Sequence, residues 1–180
     1  MIITISGAPG SGKNTVADLL AEKYHLKRYS VGNFRREMAR NLGLTIHQLN
    51  ELGEKDISTD KPADDWQVKI GKTEDDFIID GRLSYHFIPN SVKIFLDVRK
   101  EVGAKRIMNH GRVEDSSKNL EEAIRLWQQR FDSDIVRYEK YYHLNPNKRE
   151  QYDLIIDTSD LTASEVSIKI EHYLRYKGLI

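Results

Sequence analysis

The chain has 180 residues, 39% hydrophobic and 31% charged, a length that supports one domain with a full core. Its 28 basic and 28 acidic residues cancel, leaving no field for nonspecific binding to nucleic acid or an anionic membrane. It has no cysteine, which excludes disulfides, thiolate nucleophiles and cysteine-ligated metals. Met1 leads straight into an apolar stretch without a basic leader. No apolar run approaches the roughly 20 residues needed to span a bilayer. A soluble, cytoplasmic monomer is the expectation.

Ile2–Ser6 reads as a buried strand, and a helix follows from the spacing of Val16, Leu19, Leu20 and Tyr24. Lys27–Ser30 is a weaker strand, followed by a helix through Phe34, Met38 and Leu42. Residues 45–72 form a polar helical insertion. Phe77–Asp80, Val92–Val98 and Tyr152–Asp157 are further strands. Residues 109–119, "NHGRVEDSSKN", read as a loop at the head of a long polar helix from Asn119 to Tyr142. The last helix begins near Thr162, where Glu165 completes a capping box. Alternating strands and helices predict a three-layer α/β sandwich, a parallel sheet of five strands with helices on both faces.

The segment Gly7-Ala8-Pro9-Gly10-Ser11-Gly12-Lys13 has the pattern G-x-x-x-x-G-K between a strand and a helix. Glycines let backbone N–H groups turn inward around an anion, and the helix start adds its positive end. Lys13 would reach the β- and γ-phosphates of a nucleotide such as ATP. The next residue often supplies a hydroxyl to Mg²⁺. Here it is Asn14, and Thr15 follows, placed to bond an α-phosphate. A GTPase is disfavoured because N-K-x-D is missing: Asn147-Lys148 is followed by Arg149-Glu150.

Gly-Lys-x-Thr after Pro-Gly-x-Gly resembles the adenylate and cytidylate kinase branch, whose pattern is G-x-P-G-x-G-K-G-T. Further stretches narrow this to the archaeal-type cytidylate kinase family. Ser30, Gly32, Arg36, Glu37 and Ala39 match S-x-G-x-x-x-R-E-x-A, and Asp80-Gly81-Arg82-Leu83 match (D/E)-G-R-L. "RFDSDIVRY" from Arg130 to Tyr138 and "YDLIIDTS" from Tyr152 to Ser159 match the later family segments. The similarity spans nearly the whole chain and includes the P-loop NTPase fold.

The resemblance implies a kinase that moves the ATP γ-phosphate to CMP or dCMP with Mg²⁺. Arg36 and Arg82, with Ser30 nearby, would hold the acceptor, and Arg35 could exchange roles with Arg36. Asp80 would orient Mg²⁺ through water. Arg130 and Arg137, seven residues apart on one helical face, would act in catalysis, with Arg106, Arg112 and Arg125 as further lid candidates. The insertion would cover the base, read by Asp64 and Gln67, with Asp60 nearby. The chain departs from the family at Phe131, where glutamate is common, and after Arg106-Ile107, where an arginine often follows closely. His86, Trp127 and the aromatic "YEKYYH" read as packing; Trp66 reads as packing or as part of the base pocket. Two alternatives stay open. One is a kinase for AMP, UMP or a metabolite alcohol, with Asp80 as base. The other is a nucleotide-binding regulatory protein without turnover.

Overall fold

The structure, a computed structural model, describes residues 1–110 and 117–180. Most of the expected lid loop, with Arg112, lies outside the described residues. Five parallel strands form one sheet: β1 (Ile2–Gly7), β2 (Lys27–Ser30), β3 (Phe77–Asp80), β4 (Val92–Asp97) and β5 (Leu154–Asp157), in the order β2-β3-β1-β4-β5. β1 is central because all six of its residues are buried, with neighbours on both edges. Side chains alternate between the faces. Ile3, Ile5 and Ile78 join α1 (Lys13–Tyr24) and α8 (Ala163–Tyr176) in one core layer. Ile2, Phe77 and Ile79 join Ile70 of α4 (Lys61–Thr73) and Ile88 on the other.

The remaining helices are α2 (Val31–Asn41), α3 (Ile46–Lys55), α5 (Ser84–Phe87), α6 (Lys100–Asn109) and α7 (Leu120–Tyr142). Side-chain caps set several starts: Ser30 for α2, Thr45 for α3, Asn119 for α7 and Thr162 for α8. Thr162 and Glu165 form the predicted capping box. The insertion is α3, a 3₁₀ turn at Ile57–Thr59 and α4, with Pro62 in the first turn of α4. Among the described residues, no helix is long and apolar enough to cross a membrane.

Two elements differ from the sequence expectation. β5 starts at Leu154, because the Tyr152 ring is turned against Tyr85 and Phe95 while its hydroxyl donates to the Pro146 carbonyl at 2.6 Å. α6 was not foreseen as a helix. It packs through the small residues Gly103 and Ala104, so its sequence carries little apolar periodicity. The carboxyl ends of all five strands meet at one edge of the sheet, where ligands of open α/β sheets bind.

Candidate active site

β1 ends at Gly7 and the chain turns through the glycine loop into α1. Gly10 has φ 72°, and a Cβ there would lie 2.2 Å from the Gly103 carbonyl oxygen, so this position demands glycine twice over. Gly12 has open space around it but φ 85°, a conformation that costs any other side chain energy. Lys13 returns over the loop and donates to the carbonyls of Gly7 (2.9 Å) and Ala8 (2.7 Å). Burial lowers the pKa of its ammonium well below the ordinary lysine range. Arg82 and Arg130 lower it further; Asp80 and Asp134 oppose them. The loop is therefore rich in positive charge, and a polyphosphate would relieve that strain.

A cavity of about 620 Å³ opens from this loop. Its far wall carries Arg35, Arg36, Arg82, Arg130, Asp134 and Arg137. Arg82 leaves the end of β3, donates to the Gly7 carbonyl, and pairs with Asp134 at 3.0 Å. Asp134 also pairs with Arg137 at 3.1 Å. Burial would raise the Asp134 carboxyl, but Arg82, Arg137 and Arg130 outweigh it and hold it below the usual carboxylate range. Arg137 is 3% exposed and also meets Asp60 of the insertion at 3.3 Å. Arg35 pairs with Asp60 as well and donates to Asn50 at 3.0 Å. Arg36 is more exposed on the same wall, 3.2 Å from Asn33 Oδ1. Of the two adjacent arginines, Arg35 is thus built into an ionic network that ties α2 to α7, and Arg36 is nearer to solvent.

Asp80 at the end of β3 is buried on the cavity wall, with Oδ1 accepting from Arg28 at 2.6 Å. Arg28 also holds Asp18 of α1 at 2.7 Å. Asn14 and the exposed Thr15 line the same cavity. Arg130 and Arg137 both lie on the wall, and Arg137 is buried there in ion pairs with Asp60 and Asp134. Arg106 is pinned to the turn after β5, donating to Thr158 Oγ1 (3.1 Å) and to the carbonyls of Thr158 (2.8 Å) and Leu161 (3.2 Å). Arg125 lies away from the cavity, paired with Gln129 and Glu122 on the outer face of α7.

Three of the expected acceptor residues are not on the lining of this cavity. Gln67 is 2% exposed and its amide oxygen accepts from Ser84 at 2.7 Å, joining α4 to α5. Asp64 does not line the cavity either; it accepts from the Tyr142 hydroxyl and ties α4 to α7. Ser30 Oγ accepts from Asn33 N–H at 3.3 Å as the α2 cap, and it too is absent from the wall of this cavity. Three contributors were not singled out from sequence. Asp134 stands between Arg130 and Arg137 at helical spacing, a visible sign of a carboxylate between two cations. Arg28 carried no local signal. Trp127, read only as packing, donates its indole N–H to the Pro9 carbonyl at 2.8 Å.

Burial pushes the Asp64 carboxyl up to about 6, against the Tyr142 hydrogen bond and Arg35, which pull it down. An unfolded aspartate titrates near 3.9. The folded state therefore holds this proton more tightly, and its stability falls as pH rises from about 4 to about 6. Asp64→Asn keeps an acceptor for Tyr142 and removes the ionisation. The expected gain is about 1–2 kcal/mol at pH 7.5 and none at pH 4, less than the full linkage value because the half-buried carboxylate is screened. Urea midpoints at the two pH values measure it, and equal midpoint shifts would reject the assignment.

The model of the cytidylate kinase-like family matches residues 2–160. A cytidylate kinase from Sulfurisphaera tokodaii is 33% identical over 178 residues, covering 98% of this chain and 96% of that one. Another from Methanocella arvoryzae is 35% identical over 167 residues, 93% of each chain. Among solved structures, a shikimate kinase from Bacteroides thetaiotaomicron superposes with a TM-score of 0.69 at 15% identity over 97% of this chain and 98% of that one, a likeness of fold. The family match takes in both the glycine loop and the arginine-bearing face of α7 across the cavity from it, and the chain belongs to the cytidylate kinase-like family.

Proposed function

We propose that this protein is a nucleoside monophosphate kinase that transfers the ATP γ-phosphate to CMP or dCMP, giving ADP and CDP or dCDP. The observation that carries the reading is the single cavity of about 620 Å³ bounded by the glycine loop on one side and the arginine cluster on the other. Two phosphate-bearing ligands can share it, each facing cations. The preference for cytosine rests on the family and its cytidylate kinase members.

Loop amides and Lys13 hold the donor phosphates; Arg36 and Arg82 hold the acceptor phosphate and aim it in line. Phosphoryl transfer asks little beyond positioning and charge stabilisation. Lys13, Arg82 and Arg130 supply positive charge where the transferring group gains negative charge. Mg²⁺, when bound, would neutralise charge across the β- and γ-phosphates. Asp80 fits a water-mediated hold on that ion, since Arg28 takes one of its oxygens and leaves the other for a metal-bound water. No general base is required, because the acceptor phosphate is already an anion. An alcohol acceptor would require one; of the two carboxylates on the cavity wall, Asp134 is paired with Arg82 and Arg137, while Asp80 keeps one oxygen beyond its bond to Arg28.

The test is ADP formation from ATP and Mg²⁺ with CMP, dCMP, UMP, AMP and GMP offered separately. Strong dependence on CMP or dCMP is expected. Turnover with none of the five, alongside intact ATP binding, would direct attention to other acceptors or to a regulatory role.

A further inference from the structure

Trp127 is 7% exposed, yet its indole N–H is not spent on another core group. It donates to the Pro9 carbonyl, inside the glycine loop and 118 positions away in sequence. The ring is held on one face and at its nitrogen edge. Phe131 stacks on it with centroids 5.0 Å apart and planes 12° from parallel. Gly103 of α6 lies so close that a Cβ there would be 2.7 Å from both the indole nitrogen and the Pro9 oxygen. Gly10 of the loop faces Gly103 as closely: a Cβ on Gly10 would lie 2.2 Å from the Gly103 carbonyl oxygen. Loop, α6 and α7 therefore meet at one point with no room for adjustment.

The Pro9–Gly10 peptide is planar and trans, so its C=O and N–H point in opposite directions. Fixing the carbonyl toward α7 fixes the Gly10 N–H away from α7, toward the cavity that Pro9 and Gly10 line. We infer that Trp127 is a positioning residue for the donor site: its indole N–H holds the Pro9 carbonyl so that the Gly10 N–H is aimed at the donor nucleotide's phosphates. This rests on the loop holding ATP as proposed above. A backbone amide aimed in advance costs no reorganisation when the anion arrives. The same helix carries Arg130 and Asp134, three and seven residues further on, on the same face. α7 thus sets one loop amide and the arginine wall from a single rigid element.

The experiment uses the intact protein labelled with ¹⁵N and titrated with ADP. Two indole N–H signals are expected, from Trp66 and Trp127, assigned with Trp66→Phe and Trp127→Phe. When phosphate accepts from the Gly10 N–H, the peptide polarises and its carbonyl becomes a better acceptor. The Trp127 indole proton is expected to move downfield on ADP binding, while that of Trp66, stacked on Phe34, stays in place. Trp127→Phe keeps an aromatic ring against Phe131 and removes the donor together with the pyrrole part of the indole. It is expected to weaken ADP binding and raise KM for ATP about ten-fold, the scale of one hydrogen bond. KM for the acceptor should change less than about two-fold, a split that general loosening of the fold would not give. A stationary Trp127 signal during saturation with ADP overturns the inference, and so does a Trp127→Phe protein that binds ADP as tightly as the wild type. If that variant fails to fold, the wild-type titration decides alone. A wild-type protein that binds no ADP overturns the donor-site reading instead.

Discussion

Lys13→Ala is expected to lower kcat about 10³-fold or more, a loss of about 4 kcal/mol of transition-state stabilisation. The reason is positional. The ammonium sits on the carbonyls of Gly7 and Ala8, at the mouth of the cavity, within the influence of Arg82 and Arg130. It is the mobile cation closest to where donor phosphates would lie. Stability should respond differently from activity. Burial and the neighbouring arginines penalise the charged lysine, and the two carbonyls it leaves keep other donors, Arg82 on Gly7 and the Ser11 N–H on Ala8. The melting temperature of Lys13→Ala is therefore expected to stay level or rise while turnover collapses. Single-turnover assays and a thermal scan on the same preparation separate the two effects. Turnover within ten-fold of wild type would remove the glycine loop from the chemistry.

Arg82→Lys is expected to lower kcat/KM for the acceptor about 10²- to 10³-fold, with KM for ATP changed much less. The guanidinium does two jobs in fixed geometry: it donates to the Gly7 carbonyl and pairs with Asp134. A lysine is a point charge and cannot bridge both partners while offering a flat face to a phosphate. Asp134 would keep Arg137 but lose its link to β3. Initial rates at varied acceptor and fixed saturating ATP read the effect. If instead KM for ATP rises and that for the acceptor holds, Arg82 belongs to the donor side.

The readable parts of this protein were those written locally. The glycine loop declares itself through Gly10, Gly12 and Lys13, because a left-handed backbone and a phosphate cradle need those residues in that order. β1 is legible as a continuous apolar run, and the start of α8 as Thr162 with Glu165. Arg82 could be placed from its position at a strand end. What escaped was set by elements far apart in sequence. The bond from Ser84 to Gln67 appears only with the approach of α5 to α4. Asp60 and Asp134 look like solvated helix charges until the insertion and α7 bring Arg35, Arg82 and Arg137 around them. Trp127 has the composition of a core residue, and only the approach of Gly103 makes its N–H meet the loop.

The strand order has a kinetic meaning. β1 is the central strand and the first to leave the ribosome among the five, yet its partners are β3 and β4, about 75 and 89 residues later. The chain must close one of these long loops before the central strand gains a neighbour and both before its two edges are covered, and loop closure on that scale slows folding. During synthesis the segment Ile2–Ile5 waits as an apolar, β-branched edge on both sides. Newly made chains are therefore most open to intermolecular strand pairing in the interval before Phe77–Asp80 emerges, and a chaperone that shields extended apolar segments would act on them there.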